Sequence, residues 1–355
     1  MKTVFSLFTV LLLLQVSGLT QVGEDQPSLK KKKKLSVLSL MEYEKVIPVT
    51  LCADVTDLIE DRFDQTPRHG WFSFSDSTGT EVRLPVKLET RGKTRLVRCA
   101  LPPIEVRFDK PALAEGKIKD YPKLKTVIPC TENMIGMDLL FRELLIYELY
   151  EIVSDYAFRT QAAELTCMDT GGVDTTHVIS SFFIESDKEF RKRHKVEELE
   201  EYNVQWKDTD PHQSQILAVF QYMIGNTDWK IALKHNLRYF RKKEGDPLIL
   251  VPYDFDFSGI VNAGYAKPNP DYLQENVRQR IYIGQPNQFL KPTLELFKNK
   301  KAEIFETIDN AEHLSIASRT DIRAYIESFY ATIDNKRKCR RAFRKFDPVH
   351  QKSSR

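Results

Sequence analysis

Two short segments of this chain carry side chains that could perform chemistry. Residues 225–229 read GNTDW, with His235 and Asn236 close behind, and residues 249–259 read ILVPYDFDFSG. Each segment lies at the end of an apolar run, which is how a buried helix or strand delivers polar groups to the edge of a site. Their Asp and Asn side chains are the types that position a hydroxyl nucleophile and hold magnesium in phosphoryl transfer.

Asp254 and Asp256 stand two positions apart, so a strand would point both carboxylates to one face. Two carboxylates this close repel each other unless a cation lies between them. An apolar strand that carries them predicts a divalent metal with oxygen ligands, Mg²⁺ or Mn²⁺. The alternative is an exposed strand edge with solvated acids.

Asp228 follows an apolar helix and precedes Trp229, which would partly remove water from its carboxylate. These neighbours favour a functional acid over an ordinary surface residue. The alternative is that Gly225, Asn226 and Asp228 only end the helix and form a turn.

A basic turn, Arg91-Gly92-Lys93-Thr94, lies between two predicted strands. Such a turn can cover phosphates with its backbone N–H groups. An ordinary hairpin turn is the alternative.

The order Asp254, Asp256, Ser258 also resembles the first motif of haloacid dehalogenase-type phosphatases, in which the first Asp is a nucleophile. That fold places the motif after the first strand of a parallel sheet, with further strand–helix units downstream. Here the motif comes late and the remaining residues look helical, so the sequence favours a different fold.

Alternating apolar residues predict that the chain begins as mainly antiparallel sheet. The predicted strands cover residues 46–51, 71–75, 82–90, 104–108, 124–128, 162–167 and 178–184. A helix is predicted at 138–150 from apolar residues at helical spacing, with Arg142 and Glu143 off its strongest apolar stripe.

The second half of the chain has helical character. Residues 186–212 are highly charged, lack a periodic core face and predict a connection or insertion. The predicted elements that follow are a helix at 213–224, strands at 237–241 and 248–251, and helices at 292–298, 301–310 and 319–335.

The sequence thus predicts an α+β fold whose sheet precedes its helices. The predicted segments are a signal peptide (1–20), a flexible lysine-rich segment (21–44), a sheet-rich N-lobe (45–185), a helical C-lobe with the acidic site (186–335) and a basic tail (336–355).

The first residues predict export. Lys2 supplies a positive start, residues 4–14 are apolar, and small residues near Gly18–Thr20 predict cleavage there. The apolar stretch is shorter than the about 20 residues that span a bilayer, so a retained anchor is the less favoured alternative. We expect a soluble protein in the periplasm or outside the cell.

Export permits disulfides, and the chain contains five cysteines. Cys99 and Cys130 each end a strand-like run in the same part of the chain, so we expect these two to pair. The odd count leaves at least one further thiol or an intermolecular bridge.

The net charge of +3 is nearly balanced over 355 residues and does not indicate nucleic acid as a partner. The basic residues are concentrated locally, at 30–34 and 336–345. They are either solvated tails or surfaces for electrostatic contact with an anionic cell surface.

The motifs together resemble the CotH-type (spore-coat protein H-like) atypical kinases, and most closely their exported Gram-negative relatives. The resemblance runs from about residue 45 to 285. The segments that carry it are 91–94, 102–108, 124–130, the helix with Arg142 and Glu143, 225–236 and 251–256. It implies an atypical protein-kinase-like fold of two lobes, a sheet-rich N-lobe and a helical C-lobe.

The resemblance also implies binding of ATP with Mg²⁺ or Mn²⁺ and phosphorylation of protein Ser or Thr hydroxyls. It makes Asp228 the catalytic-loop acid that orients the acceptor hydroxyl. Asn236, Asp254 and Asp256 would be the metal ligands.

The nucleotide-binding residues implied by the resemblance come from the sheet and the first long helix. They are Arg91, Gly92, Lys93, Arg107, Lys125 and Glu143, with Lys123 as another candidate for the basic residue on phosphate. Glu143 would pair with the nucleotide lysine.

The contrasting hypothesis is a non-catalytic pseudokinase that acts as a binding or structural protein of the cell envelope. The two differ in whether Asp228, Asp254 and a basic residue converge on one cleft. A metal-dependent phosphatase is a third hypothesis, and it would need an acidic pair downstream of Asp256. Under any of these hypotheses, the sequence leaves the acceptor protein and the oligomeric state open.

Overall fold

The computed structural model describes residues 34–64, 66–92, 94–99, 102–131, 133–171 and 176–344. Lys93 lies outside the described residues. So do the predicted signal peptide, positions 21–33 of the predicted flexible segment and positions 345–355 of the predicted basic tail.

The predicted antiparallel strands are confirmed, and they close into a barrel. They are β1 (Val46–Ala53), β2 (Arg68–Ser75), β3 (Glu81–Thr90), β4 (Ile104–Phe108), β5 (Lys123–Val127), β6 (Thr160–Asp169) and β7 (Thr176–Ile184). Their order around the barrel is β1-β2-β3-β4-β5-β7-β6, and a parallel pairing of β1 with β6 closes it. Alternation puts Leu84, Val86 and Leu88 of β3 inside, as the sequence predicts.

Short helices precede the barrel strands or connect them. They are α1 (Val37–Met41), α2 (Val55–Glu60), α3 (Thr94–Arg98) and α4 (Lys110–Glu115). Although residues 21–44 are expected to be flexible, Val37, Leu38 and Met41 of α1 are buried. The basic turn at 91–94 is not a simple hairpin, because α3 is inserted between β3 and β4.

The predicted pairing of Cys99 with Cys130 is confirmed by a disulfide between them. Cys99 follows α3, and Cys130 follows β5. The bond therefore ties the connection between β3 and β4 to the segment that leads into the next helix.

The helical part is built on two long buried helices. Its helices are α5 (Met134–Val153), α6 (Asp187–His194), α7 (Pro211–Ile224), α8 (Leu290–Asn299), α9 (Lys301–Asp309), α10 (Ile316–Asp334) and α11 (Lys336–Ala342). Pro211 suits the first turn of α7, where its missing N–H costs nothing, and the Asp210 side chain accepts from the backbone N–H groups of His212 and Gln213. Almost every residue of α7 is buried, so its C-terminal end is held firmly.

The helix α5 is longer than predicted and is buried on nearly all sides. Arg142 and Glu143, expected off its apolar stripe, are themselves buried. Oppositely charged residues accompany them into the interior: Arg142 pairs with Asp138 of the same helix and with Asp321 of α10.

The charged stretch 186–212, predicted to lack a periodic core face and to be a connection or insertion, forms regular elements. It contains α6, whose Phe190 is fully buried, and a short strand β8 (Glu197–Leu199). The strand β8 joins β9 (Leu237–Arg241) and β10 (Ile249–Pro252) in an antiparallel sheet of order β10-β9-β8. A single large aromatic residue in a charged helix is too sparse a signal for periodicity to detect.

The described part of the chain has mixed α and β structure with two hydrophobic cores, one inside the barrel and one among the helices. Adjacent side chains of β7 join different cores, Phe182 the helical one and Phe183 the barrel. The chain from Lys34 onward forms one compact unit, and its division into two lobes stays a prediction. In the described residues, no helix has the length and apolar character needed to cross a bilayer.

Candidate active site

The two acidic segments of the sequence are joined by backbone hydrogen bonds. The helix α7 ends at Gly225, whose φ of 69° is the left-handed conformation that glycine adopts without strain. The backbone carbonyl oxygens of Ile224 and Gly225 accept hydrogen bonds from Ile260 and Gly259, at 3.1 Å each. The loop that carries Asp228 therefore runs beside the loop that follows β10.

Asp228 is held by three neighbouring side chains. Its backbone N–H donates to Asn226 Oδ1 at 2.8 Å, His235 Nε2 lies 2.9 Å from Oδ1, and Asn236 Nδ2 donates to Oδ2 at 3.0 Å. About a third of the Asp228 side chain remains exposed, at 35%. The carboxylate is thus oriented while still open to an incoming group.

Asn236 connects the two acidic loops. Its side-chain amide also donates to the Asp228 backbone oxygen at 2.7 Å, and its own backbone oxygen accepts from the Tyr253 N–H at 3.2 Å. Tyr253 directly precedes Asp254, so one residue links the position of Asp228 to that of Asp254. Asn236 has a φ of 52°, a left-handed conformation that Asn tolerates better than most residues.

Asp254 and Asp256 are neighbours because of a turn, not because of strand alternation. The strand β10 ends at Pro252, and Asp254 adopts a left-handed φ of 61°. Its backbone N–H donates to the Tyr147 hydroxyl of α5 at 3.0 Å. The expectation that a continuous strand carries both acids was wrong, although their side chains do lie within hydrogen-bonding reach of each other.

Glu143 of α5 completes a cluster of three carboxyl groups with Asp254 and Asp256. Burial, and then repulsion by Asp254 and Asp256, raises the pKa of Glu143 to about 8. Burial and the charge of Asp254 raise the pKa of Asp256 to about 7, while Tyr265 donates to its Oδ2 at 3.0 Å. The physical cause is the same for both acids, because like charges that have lost their water favour the protonated form.

Two guanidinium groups face this carboxylate cluster. Arg91 is half-buried; loss of water lowers the pKa of its guanidinium, and the charge of Asp254 opposes that shift. Its Nε has no hydrogen-bond partner among the described residues. Arg95 of α3 lies within electrostatic reach of Glu143 and Asp256, and its guanidinium donates to the Ile128 carbonyl at 2.6 Å.

Lys125 lies near Arg91 but has its own acidic partner. Its Nζ is 3.1 Å from Asp187 Oδ2, at the start of α6, and burial lowers its pKa. Arg238 approaches the same Asp187 at 3.7 Å and lies over the Tyr253 ring at 4.9 Å. Lys125 therefore borders the residues that lead into Asp254.

The expected pairing of Glu143 with a nucleotide lysine is not what the structure contains. The cation beside Glu143 is Arg95, and Lys125 pairs with Asp187. Arg107 lies on β4, where it forms ion pairs with Glu89 at 2.7 Å and Glu105 at 2.8 Å. Its charge is already balanced there.

Lys123, the other candidate for the basic residue on phosphate, forms an ion pair with Glu105 at 3.2 Å. Gly92, which directly follows Arg91, adopts a left-handed φ of 85°. Among the predicted residues, the structure thus brings Arg91, Glu143, Asp254 and Asp256 into one cluster. Lys93 falls outside the described residues.

The carboxyl cluster has the donor chemistry that Mg²⁺ or Mn²⁺ prefers, namely hard oxygen atoms. Within the described ranges, no group of three or more His, Cys, Asp or Glu side chains is already arranged around a metal position. In proteins, Mg²⁺ is usually held by one or two carboxylates together with further oxygen ligands such as substrate phosphates.

A surface depression of about 260 Å³ lies beside Asp228. Trp229, Leu233 and Tyr272 provide its apolar surface, and Lys230 forms an ion pair with Asp271 at 3.6 Å on its rim. The volume is of side-chain size, and the exposed edge of Asp228 opens into it.

Sequence reasoning missed several residues of this site. Arg95 was overlooked because the basic turn was expected to lead directly into a strand, although a second Arg four positions after Arg91 is a recognisable helical spacing. Tyr147, Tyr265 and Asp187 carry no local signal, since only the folded chain brings them to Asp254, Asp256 and Lys125.

Comparison with known proteins adds little to this geometry. The chain is similar to a solved structure titled as a Helicobacter pylori proinflammatory kinase, CtkA, with a TM-score of 0.40 and 9% sequence identity, covering 69% of this chain and 92% of that chain. A likeness of this size carries no argument about fold or activity. No protein-family model and no curated protein match the chain. The CotH resemblance therefore stays a prediction from motifs.

Proposed function

We propose that this chain is an exported, kinase-like phosphotransferase of the CotH type, which binds ATP with Mg²⁺ or Mn²⁺ and phosphorylates Ser or Thr hydroxyls of a protein. The observation that carries the proposal is the double role of Asn236. It binds the Asp228 carboxylate and, through its backbone, the residue before Asp254. A hydroxyl-orienting acid and a metal-binding acid thereby belong to one site.

In this proposal Asp254 and Asp256 hold the metal, and the Oδ1 of Asn236 is the further ligand, since its Nδ2 is committed to Asp228. When bound, the metal neutralises the developing charge on the phosphates. Arg91, with its buried Nε lacking a partner, is the residue that best fits a phosphate oxygen. Arg95 and Lys125 would add further positive charge near Arg91.

The reaction moves one phosphoryl group. The acceptor hydroxyl oxygen forms a bond to the γ-phosphorus, and the bond from that phosphorus to the bridging oxygen of ADP breaks. The hydroxyl proton goes to the Asp228 carboxylate, which His235 and Asn236 keep aimed toward the depression beside it. That depression is where a Ser or Thr side chain would enter.

Two further features support parts of the proposal. The Cys99–Cys130 disulfide fits an oxidising compartment and hence export. The antiparallel sheet around β10 differs from the parallel sheet that a haloacid dehalogenase-type phosphatase requires at its Asp motif. The phosphatase hypothesis loses its structural basis.

A pseudokinase is the second candidate, and two observations favour it. Both carboxylate oxygens of Asp228 already have partners, in His235 and Asn236, and Glu143 faces an Arg instead of a lysine. Such a protein would keep the scaffold and the acidic pair for stability or partner binding, without transferring phosphate.

Calorimetric titration with ATP, in Mg²⁺, in Mn²⁺ and in EDTA, tests the nucleotide site. We expect metal-dependent binding that Asp254→Asn weakens at least about tenfold, the loss that even outer partners of metal sites cause. Asp155→Asn is the matched control, because Asp155 is exposed in the turn after α5. Absence of ATP binding by the wild type, or equal binding by both variants, would contradict the proposal.

A further inference from the structure

A dense group of positive charges covers the last helix of the described chain. In nine residues it presents six exposed basic side chains, here called the basic face: Lys336, Arg337, Lys338, Arg340, Arg341 and Arg344. None of them has a carboxylate within ion-pair distance among the described residues. Asp334 at the end of α10 and Glu295 on α8 both approach Lys298 instead, at 3.7 and 3.5 Å.

The basic face is held on the body of the protein by the opposite side of the helix. Phe343 is buried, with its ring 5.0 Å from those of Tyr222 and Tyr282. Cys339 and Ala342 pack against the same helical core. Because these apolar side chains face inward, the positive charges point outward from an ordered support and are not those of a loose tail.

Crowding like charges in this way opposes folding of the helix. Basic residues three and four positions apart, such as Arg337 with Arg340 and Arg341, repel each other on a helix surface. A helix that needed only solubility would intersperse acids. Among the described residues no ion pair neutralises these side chains, which leaves them available to an external anion.

We propose that the basic face binds the surface of an anionic phospholipid bilayer. Clusters of Lys and Arg bind such surfaces by charge, each residue strengthening the partition roughly fivefold. A bilayer fits better than a single-stranded nucleic acid because the six residues of the face, as described, include no exposed aromatic ring on which bases could stack. Cys339, Ala342 and Phe343 are turned inward, so no apolar group of the helix enters the lipid.

Binding of this kind depends on charge alone and therefore has a clear signature. It requires anionic headgroups, and it is lost at high salt, because exposed charges are screened there. An anchor that inserted apolar side chains would instead survive high salt and bind neutral lipid.

The test is co-sedimentation of the full chain with vesicles of phosphatidylcholine, with and without phosphatidylglycerol, at low and high salt. We expect binding only with phosphatidylglycerol and only at low salt. The triple variant Arg337→Gln, Arg340→Gln, Arg341→Gln should lower the partition coefficient about 100-fold. Its thermal unfolding should be unchanged or slightly improved, since all three side chains are exposed.

The matched control removes three exposed lysines from other surfaces: Lys87→Gln, Lys207→Gln and Lys243→Gln. It has the same net charge as the first triple variant. An equal loss of binding in both variants, binding to pure phosphatidylcholine, or no vesicle binding by the wild type would overturn the proposal. So would binding to duplex DNA in place of vesicles.

Discussion

Glu143 and Asp256 are carboxyl groups whose surroundings favour the protonated form. Burial and repulsion by neighbouring carboxylates, Asp254 in both cases, raise the pKa of Glu143 to about 8 and that of Asp256 to about 7. A bound divalent cation would remove this repulsion. At the residue scale, the free site therefore holds protons that a metal must displace.

The raised pKa of Glu143 predicts how stability depends on pH. Its contribution is present in full below the ordinary value of 4.5 and is lost as pH rises through about 8. Glu143→Gln mimics the protonated acid. Without metal, we expect wild type to lose stability relative to this variant over that window, by on the order of a few kcal/mol at about 1.4 kcal/mol per pKa unit.

Urea unfolding across that pH range measures the difference, and Glu115→Gln is the control because Glu115 is exposed. Parallel pH profiles for wild type and Glu143→Gln would show that Glu143 is not in a charge-repelling site.

Asn236 combines a special backbone conformation with a special side chain, and two substitutions separate these roles. Asn236→Gly keeps the left-handed φ of 52° but removes the amide that holds Asp228. Asn236→Ala removes the amide and strains the backbone as well. We expect phosphate transfer to fall about 100-fold in both, as small misplacements of catalytic groups do.

The alanine variant should in addition be less stable than the glycine variant by about 1 kcal/mol, the cost of the left-handed conformation. Rates of phosphate transfer measure the loss of activity in each variant, and unfolding free energies measure the difference in stability between the two. Full activity of Asn236→Gly would mean that Asn236 does not position Asp228.

At the scale of elements, the disulfide closes the connection that carries both arginines. It joins Cys99, just after α3, to Cys130, and closes a sequence separation of 31 residues. We expect the double variant Cys99→Ser, Cys130→Ser to be less stable by about 3–4 kcal/mol, from the loop entropy of the unfolded chain. ATP binding should weaken as well, because Arg91 and Arg95 lie on the released connection.

Unfolding of the double variant measures its loss of stability, and calorimetry measures its ATP affinity. Cys52→Ser is the control, because Cys52 is outside the disulfide. An unchanged ATP affinity in the folded double variant would show that the bond does not position the arginines.

Local patterns were sufficient for most elements of the fold. Alternation located β1 to β7, and the apolar run that ends at Gly225 located α7. Periodicity could not reveal α3 or β8, which are too short to show a period. Nor could it reveal that β1 and β6 pair in parallel to close the barrel, because that contact joins residues far apart in sequence.

The candidate site also has features that the sequence indicated and features that it could not reveal. The spacing of Asp254 and Asp256 indicated a shared position, although the turn at Asp254 and not a strand produces it. The partners of Lys125 and Glu143 could not be deduced, since Asp187 and Arg95 reach them only through the fold. Ion pairs between distant segments leave no mark in a single sequence.

At the scale of the whole molecule, the site draws on both hydrophobic cores. Arg91 and Arg95 come from the connection between barrel strands, whereas Glu143, Asp228 and Asp254 come from elements of the helical core. Any change in how these parts pack would separate the cations from the carboxylates. The function proposed here therefore depends on the intact chain.

The most direct measurement is transfer of labelled γ-phosphate from ATP by the purified mature chain with Mn²⁺ or Mg²⁺, to itself or to added protein. Wild type, Asp228→Asn, Asp254→Asn and the control Asp155→Asn are compared. We expect incorporation by the wild type and the control, and its loss in the two site variants. Equal labelling in all four would contradict the assigned site, and absence of labelling by a folded wild type that binds ATP would identify a pseudokinase.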